Sequence, residues 1–474
     1  MFSFDRFELD PQARSLTREG ESLTLADRHF DVLHHLVSNA GAVVSKNALV
    51  DAGWGDVAVT DNSLEQAVSA LRRALGPGAD GNPYIDTIPR RGYRFRGTVT
   101  RAIVRETDEG LEALLAPHRA WIEGRAAIET LERGEIARAR EVFDTLIARM
   151  PGQALPHIGL ANACAMQFEM TRTDEAPDVD ALAAAGVHAR EACRLDTGSA
   201  EAWATLGFVL DRTGHHVDAL AALRRAVTLE PDNWRHYFRL SYVTWGEERL
   251  RAARRTLALL PGFPLAHWMA ATVLVARDRL DEAERELAAG IAVQDQQGEH
   301  SRFSAVALHW LTGLIHLARG DEARAAAAFE RELSYESTGH LYARECCANT
   351  WYAIGALRLR QGRLADAQDA FQRALDRVAV HPLARIARAA LSGAGGEMPP
   401  SMGERPSVDA AICRAAAMAL GGAHAGGARL VEHALAVAPE GSAGWLLPVE
   451  PLLHVSAHAE LWAPALERLR TRSA

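Results

Sequence analysis

From residue 111 onward the chain keeps returning to one short pattern, and that recurrence confines what it can fold into. The clearest unit is 201–233, EAWATLGFVLDRTGHHVDALAALRRAVTLEPDN. Trp203, Leu206 and Leu210 fall at helical spacing before Gly214, and Leu223 and Ala226 do so after it. Gly207 and Ala219 are small enough to let two helices approach. Gly214 permits the turn between them, and Pro231 ends the second. Copies recur around Gly134 and Phe143, Leu240 and Ala253, Ala270 and Ala283, Gly313 and Phe329, and Gly355 and Phe371. Residues 157–196 read as a degenerate copy with an insertion at 171–180. The equivalent residues Trp203, Tyr237, His267, His309 and Trp351 lie 34, 30, 42 and 42 positions apart, so later units carry longer helices or connections. One helix pair cannot bury its apolar face alone. The units must stack, and stacking generates a superhelix with a concave face.

The first hundred residues follow different rules. Residues 2–25 alternate apolar and polar in short runs broken by Pro11 and Gly20, the pattern of a small antiparallel sheet. Residues 26–39 predict a helix with Phe30, Leu33 and Val37 inside, and Ser45 is suited to cap a second helix over 46–52. Residues 62–75 predict a third, with Leu64, Val68, Leu71 and Leu75 on one face. Its other face carries Asn62, Glu65, Gln66, Ser69, Arg72 and Arg73, side chains that reach phosphates or base edges. Residues 84–96 alternate like a hairpin, with Arg90 and Arg91 at the tip. A polar helix followed by an arginine-tipped hairpin is the plan of a winged helix on DNA.

Residues 2–97 resemble the OmpR/PhoB-type winged-helix effector domain of bacterial transcription regulators. The matching pieces are LTLADRHFDVLHHLVSNAGAVVSKNALVDAGWG, VTDNSLEQAVSALRRALG and YIDTIPRRGYRF. The resemblance implies that the third helix enters the major groove and the wing the adjacent minor groove of double-stranded DNA. By position, Gln66, Ser69 and Ala70 then face bases. Asn62, Ser63, Arg72 and Arg73 approach phosphates, and Arg90 and Arg91 belong to the wing. It also implies that the loop over 54–62 can contact RNA polymerase, and that two copies can bind side by side on DNA. Many relatives carry basic residues where Ser69 and Ala70 stand, so base readout here is expected to shift towards the wing and DNA shape. The repeat unit at 201–233 closely resembles the tetratricopeptide repeat. The combined layout is similar to HilA-like one-component regulators and unlike membrane-spanning ToxR-like ones.

Charge fits this division. The chain of 474 residues has a formal net charge of −9, which on average disfavours a nucleic-acid partner. Residues 62–101 depart from that average, with seven arginines against Glu65, Asp80 and Asp86. A basic patch on an acidic chain favours bound DNA at chosen sites over general adhesion. The five cysteines show no CxxC or Cys/His metal spacing and read as reduced thiols of a cytoplasmic protein. The charged start MFSFDRFELD does not fit a secretory signal, and no apolar run has membrane-spanning length. HExxH, GxxxxGK[ST] and GxSxG are absent, so neither enzyme chemistry, a cofactor nor a metal is expected.

The expected organisation is multidomain: a small α+β winged helix-turn-helix over 1–99, a linker over 100–110 and an all-α tetratricopeptide-repeat solenoid over 111–391. A Gly/Pro-rich break follows over 392–407, and further helical repeats and a cap over 408–474. One position beyond the last four of the repeat landmarks Trp203, Tyr237, His267, His309 and Trp351 stand Phe238, Trp268, Trp310 and Tyr352. The expectation is a concave groove for a peptide, protein or small ligand, lined by these four rings. The function expected is a DNA-binding transcription regulator whose repeats sense, oligomerise or bind a partner. The alternative is a protein–protein scaffold whose winged helix no longer binds DNA.

Overall fold

The computed structural model describes residues 1–11, 13–54, 61–78, 81–101, 105–298, 303–392 and 407–474. The chain divides into two compact units, Met1–Ala116 and Pro117–Ala474.

The first unit opens with an antiparallel meander of β1 (Phe2–Phe4), β2 (Phe7–Asp10), β3 (Ser15–Arg18) and β4 (Glu21–Leu23). Three helices follow: α1 (Asp27–Ser38), α2 (Lys46–Trp54) and α3 (Asp61–Leu75), with the short β5 (Val43–Val44) between the first two. β6 (Ile85–Ile88) and β7 (Gly92–Phe95) form the hairpin. β8 (Thr100–Arg101) returns to the opening sheet, whose order is β4-β3-β2-β1-β8; the second sheet runs β5-β7-β6. Thr100 and Arg101, expected in a linker, thus pair with Ser3 and Phe2. The pairing covers an otherwise open sheet edge. A further helix begins at Arg105, so regular structure occupies most of the segment expected to be irregular.

Alternation puts Phe2, Phe4, Phe7, Leu9 and Leu16 on one face of the meander, and all five are buried. They meet Phe30, Leu33 and Val37 of α1 and Leu64, Val68, Leu71 and Leu75 of α3 in one core. The stripes read from the sequence are therefore the packed faces. Ser45 caps α2 through its Oγ, which accepts from the Ala48 amide at 3.2 Å.

The second unit is helical. Its helices are α4 (Arg105–Glu129), which begins in the first unit, α5 (Arg133–Arg149), α6 (Ala154–Thr171), α7 (Val179–Leu195), α8 (Ala200–Arg212) and α9 (His216–Leu229). Then come α10 (Trp234–Val243), α11 (Gly246–Leu259), α12 (Pro264–Ala276), α13 (Leu280–Gln297), α14 (Leu308–Ala318) and α15 (Glu322–Leu333). α16 (Ala343–Arg360), α17 (Leu364–Arg377), α18 (Pro382–Leu391), α19 (Val408–Leu420), α20 (His424–Val437) and α21 (Ala459–Arg472) complete it. Successive helices pack as antiparallel pairs. The reason is visible at Gly207, where an added Cβ would lie 2.6 Å from Leu223 Cγ and 3.0 Å from the Ala219 carbonyl. Phe143, Phe329 and Phe371 take the equivalent place in other pairs, each pressed against a glycine of the facing helix (Gly159, Gly313 and Gly355). The Gly/Pro-rich break expected over 392–407 lies largely outside the described residues. Among the described residues no helix is long and apolar enough to cross a membrane.

The end of the chain turns back onto the stack. A 3-10 turn at Leu447–Val449 packs on α12 and α14. Trp445 meets Trp268 edge-on at 6.1 Å between ring centroids. The Arg360 guanidinium donates to the Pro451 carbonyl at 2.8 Å, and that of Arg277 to the Ser473 carbonyl at 2.7 Å.

Candidate nucleic-acid interface

α3 presents its amphipathic pattern as two distinct surfaces. Leu64, Val68, Leu71 and Leu75 are fully buried, while Glu65, Gln66, Ser69 and Arg73 are exposed. Ser63 and Ala70 are half-buried, and the side chain of Asn62 lies outside the described residues. So do residues 55–60, which make up most of the loop expected to contact RNA polymerase. Lys46 of α2 pairs with Glu65 at 3.1 Å and offsets the one acidic group on the exposed face that the sequence placed beside Gln66.

Arg72 differs from expectation. Its Nε and Nη2 donate to the Ile85 carbonyl at 2.9 and 2.7 Å, and Nη2 also donates to Thr87 Oγ1 at 2.9 Å. The guanidinium that was expected to approach a phosphate instead fastens α3 to the first strand of the hairpin. Arg73, one position on, points away from that strand because successive helical residues lie about 100° apart. It is exposed and makes no ion pair among the described residues.

The hairpin tip is built for display. Arg90 adopts a left-handed backbone, φ 63°, and Gly92 has φ 133°. Gly92 is required for a second reason: a Cβ there would sit 1.9 Å from the Val44 carbonyl, because β7 lies against β5. The tight turn leaves Arg90 and Arg91 exposed with no ion pair among the described residues. Lower down, Arg94 and Arg96 share Asp86, at 3.0 and 3.8 Å. Tyr93 and Phe95 are buried in the core, so neither ring is displayed on the surface of the hairpin.

Residues 20–95 match the family model described as transcriptional regulatory protein, C terminal, and residues 200–233 match the tetratricopeptide repeat. The first unit is an OmpR/PhoB-type winged-helix domain. Transcriptional regulator HilA of Salmonella typhimurium is 39% identical over 98 residues, which are 21% of this chain and 17% of that protein. Transcriptional activator CadC of Escherichia coli is 34% identical over 107 residues, 22% of this chain and 20% of that protein. The chain thus spans about a fifth or less of the length of these curated relatives. Among solved structures, the DNA-binding domain of Escherichia coli CadC is 30% identical, covering 21% of this chain and 95% of that one with a TM-score of 0.20. In the winged-helix domain, α3 stands where the family has its recognition helix and the β6–β7 hairpin where it has its wing.

The four rings expected to line a concave groove do not act together. Trp310 and Tyr352 are core residues, 7% and 4% exposed. Trp310 sits in the first turn of α14, where the Glu332 carboxylate accepts from its amide at 3.0 Å. The Tyr352 hydroxyl donates to buried Glu450, and Trp268 is covered by Trp445. For Trp268 and Tyr352 the physical reason is the returning C-terminal segment, which brings Trp445 and Glu450 against them. Of the four, Phe238 lines a cavity of the repeat unit that the other three do not, together with residues the landmark spacing did not single out. The signal that finds them is local. Trp234, Phe238 and Tyr242 repeat every four residues along α10, and Arg235 and Arg239 do so one position on.

Proposed function

We propose that the chain is a DNA-binding transcription regulator. In this reading α3 lies in the major groove of promoter DNA, with Gln66 and Ser69 facing base edges and Ala70 against them. Ser63 and Arg73 approach phosphates, and Arg90 and Arg91 enter the adjacent minor groove. The observation that carries it is the family match over residues 20–95, taken with the exposed, unpaired arginines at the hairpin tip. Arg72 supports the wing from behind rather than contacting DNA.

HilA and CadC are named as a transcriptional regulator and a transcriptional activator, and the proposal extends that role to this chain. The repeat unit supplies regulation through a partner or ligand. Contact with RNA polymerase and pairing of two copies on DNA belong to the same reading. Selection of bound duplexes from a random pool by the full chain tests it. A recurring short motif, bound with a steep inverse dependence on salt, is the expected result. Recovery of no motif, at an affinity equal to that of the chain without its first unit, contradicts it.

A further inference from the structure

The repeat unit holds a cavity of about 150 Å³ in the region of α4, α5, α6, α8 and α10. Its walls are unusually aromatic. Trp121 and Phe143 line it beside Phe208, and Trp234, Phe238 and Tyr242 form a second wall from one face of α10. Phe263 and Phe303 extend that wall. Phe263 lies edge-on to Phe238 at 4.7 Å between ring centroids, and Phe303 lies edge-on to Trp234 at 5.3 Å. Rings fixed edge-to-face leave a slot suited to another flat ring. A cavity of this volume lined by apolar side chains accommodates benzene.

The charged groups on the wall are not equivalent. Arg235 is held by Glu129, Nε to Oε1 at 2.5 Å. Arg239 is held by Glu201 at 3.4 Å and donates to Asn162 Oδ1 at 2.9 Å and Thr205 Oγ1 at 3.0 Å. Both wall glutamates are therefore engaged. The third arginine, Arg125, stacks on Trp121, with its guanidinium carbon 5.8 Å from the ring centroid, and acts on the Glu230 carboxylate at longer range. It forms no ion pair among the described residues. The Tyr242 ring lies beside a different charged cluster, Arg212, Glu169 and Arg172. The wall thus offers one arginine without an ion pair beside a ring-sized aromatic slot.

We infer that this cavity is a binding site for a small aromatic carboxylate: a single ring seated between the α10 aromatics and Trp121, its carboxylate answered by Arg125. A neutral aromatic leaves Arg125 unanswered, and an aliphatic acid forfeits the ring contacts. A dianion gains little, because the remaining arginines are neutralised in place. The inference concerns the repeat unit alone and stands whether or not the winged-helix domain binds DNA.

Calorimetric titration of the full chain with phenylacetate, phenylacetamide and cyclohexylacetate tests it. Phenylacetate is expected to bind one per chain, and each of the other two about tenfold or more weaker, the scale of one lost charge-assisted bond or of the lost ring contacts. Arg125→Ala is expected to weaken phenylacetate about tenfold while leaving phenylacetamide within about twofold, with an unchanged unfolding midpoint. Arg125→Gln, which keeps the side-chain stem on Trp121, repeats the measurement if the alanine variant does not fold. The inference is overturned if phenylacetate shows no saturation up to about 10 mM, weaker than ordinary ligand affinity. It is equally overturned if cyclohexylacetate binds as well as phenylacetate, or if neither Arg125 substitution changes the acid's affinity.

Discussion

Arg72 of α3 donates two hydrogen bonds to the carbonyl of Ile85, at 2.9 and 2.7 Å, so one charged side chain sets the spacing between helix and wing. The two surfaces that would address neighbouring grooves of DNA are held in register by that contact. Replacing Arg72 by alanine leaves the Ile85 carbonyl without this partner. The expected cost is about 1.5–3 kcal/mol of winged-helix stability, the range for hydrogen bonds involving a charged group. Urea unfolding followed by near-ultraviolet circular dichroism measures it. Arg72→Lys is expected to recover only part, because an ammonium lacks the fork that reaches Ile85 and Thr87 together.

Arg90 and Arg91 are expected to behave in the opposite way. Both are exposed at the tip, and neither supports the core. Their joint replacement by alanine should leave the unfolding midpoint unchanged and weaken binding to a selected DNA site by about 1–3 kcal/mol. The slope of log K against log salt should also fall by about two, one for each lost phosphate-region cation. Gel shifts at several salt concentrations give both quantities. Unchanged affinity would remove the wing from the interface.

The rings that had been expected to line a groove now carry a stability prediction. Trp310 is 7% exposed and belongs to the core cluster that α14 shares with α12, α15 and α16. Trp310→Ala should cost about 3–5 kcal/mol, as large-to-small core substitutions do. Thermal unfolding checks this, and a folded variant of native stability would restore the groove assignment for that residue.

Glu450 gives a pH prediction. Burial pushes its carboxyl up to about 7, against the hydrogen bonds it accepts from Tyr352 and the Leu452 amide. A carboxyl raised in the folded state binds more protons there than in the unfolded chain. Its contribution is present below about pH 4.5 and is lost as pH rises towards 7. Glu450→Gln removes the titration while keeping the side-chain shape. Between pH 5 and 7 the wild-type chain should therefore lose stability relative to this variant, by on the order of 1–3 kcal/mol. A constant difference across that range would show that Glu450 does not titrate there.

The local patterns were legible because local forces set them. The stripe Leu64, Val68, Leu71 and Leu75 is the buried face of α3, and Gly207 against Ala219 is a close helix contact. What the sequence did not reveal depends on distant segments. Arg72 was read from its place on an exposed helix, yet its partner Ile85 comes ten residues after the helix ends and only the folded hairpin brings it near. The groove assignment at Trp268, Trp310 and Tyr352 followed repeat landmarks. It failed at Trp268 and Tyr352 because residues 445–453 return to the stack, and at Trp310 because the first turn of α14 is buried against Glu332 of α15. The pairing of Thr100 and Arg101 with β1 was equally invisible, since a two-residue strand carries too little alternation to register.

The central claim is that the first unit brings this chain to specific promoter DNA. Sequencing the DNA that co-purifies with the full chain, beside the DNA recovered with a chain lacking residues 1–97, tests it most directly. Short related sites upstream of genes, enriched only with the full chain, are the predicted result. Equal recovery of the same DNA by both chains, or no enrichment by either, would contradict it.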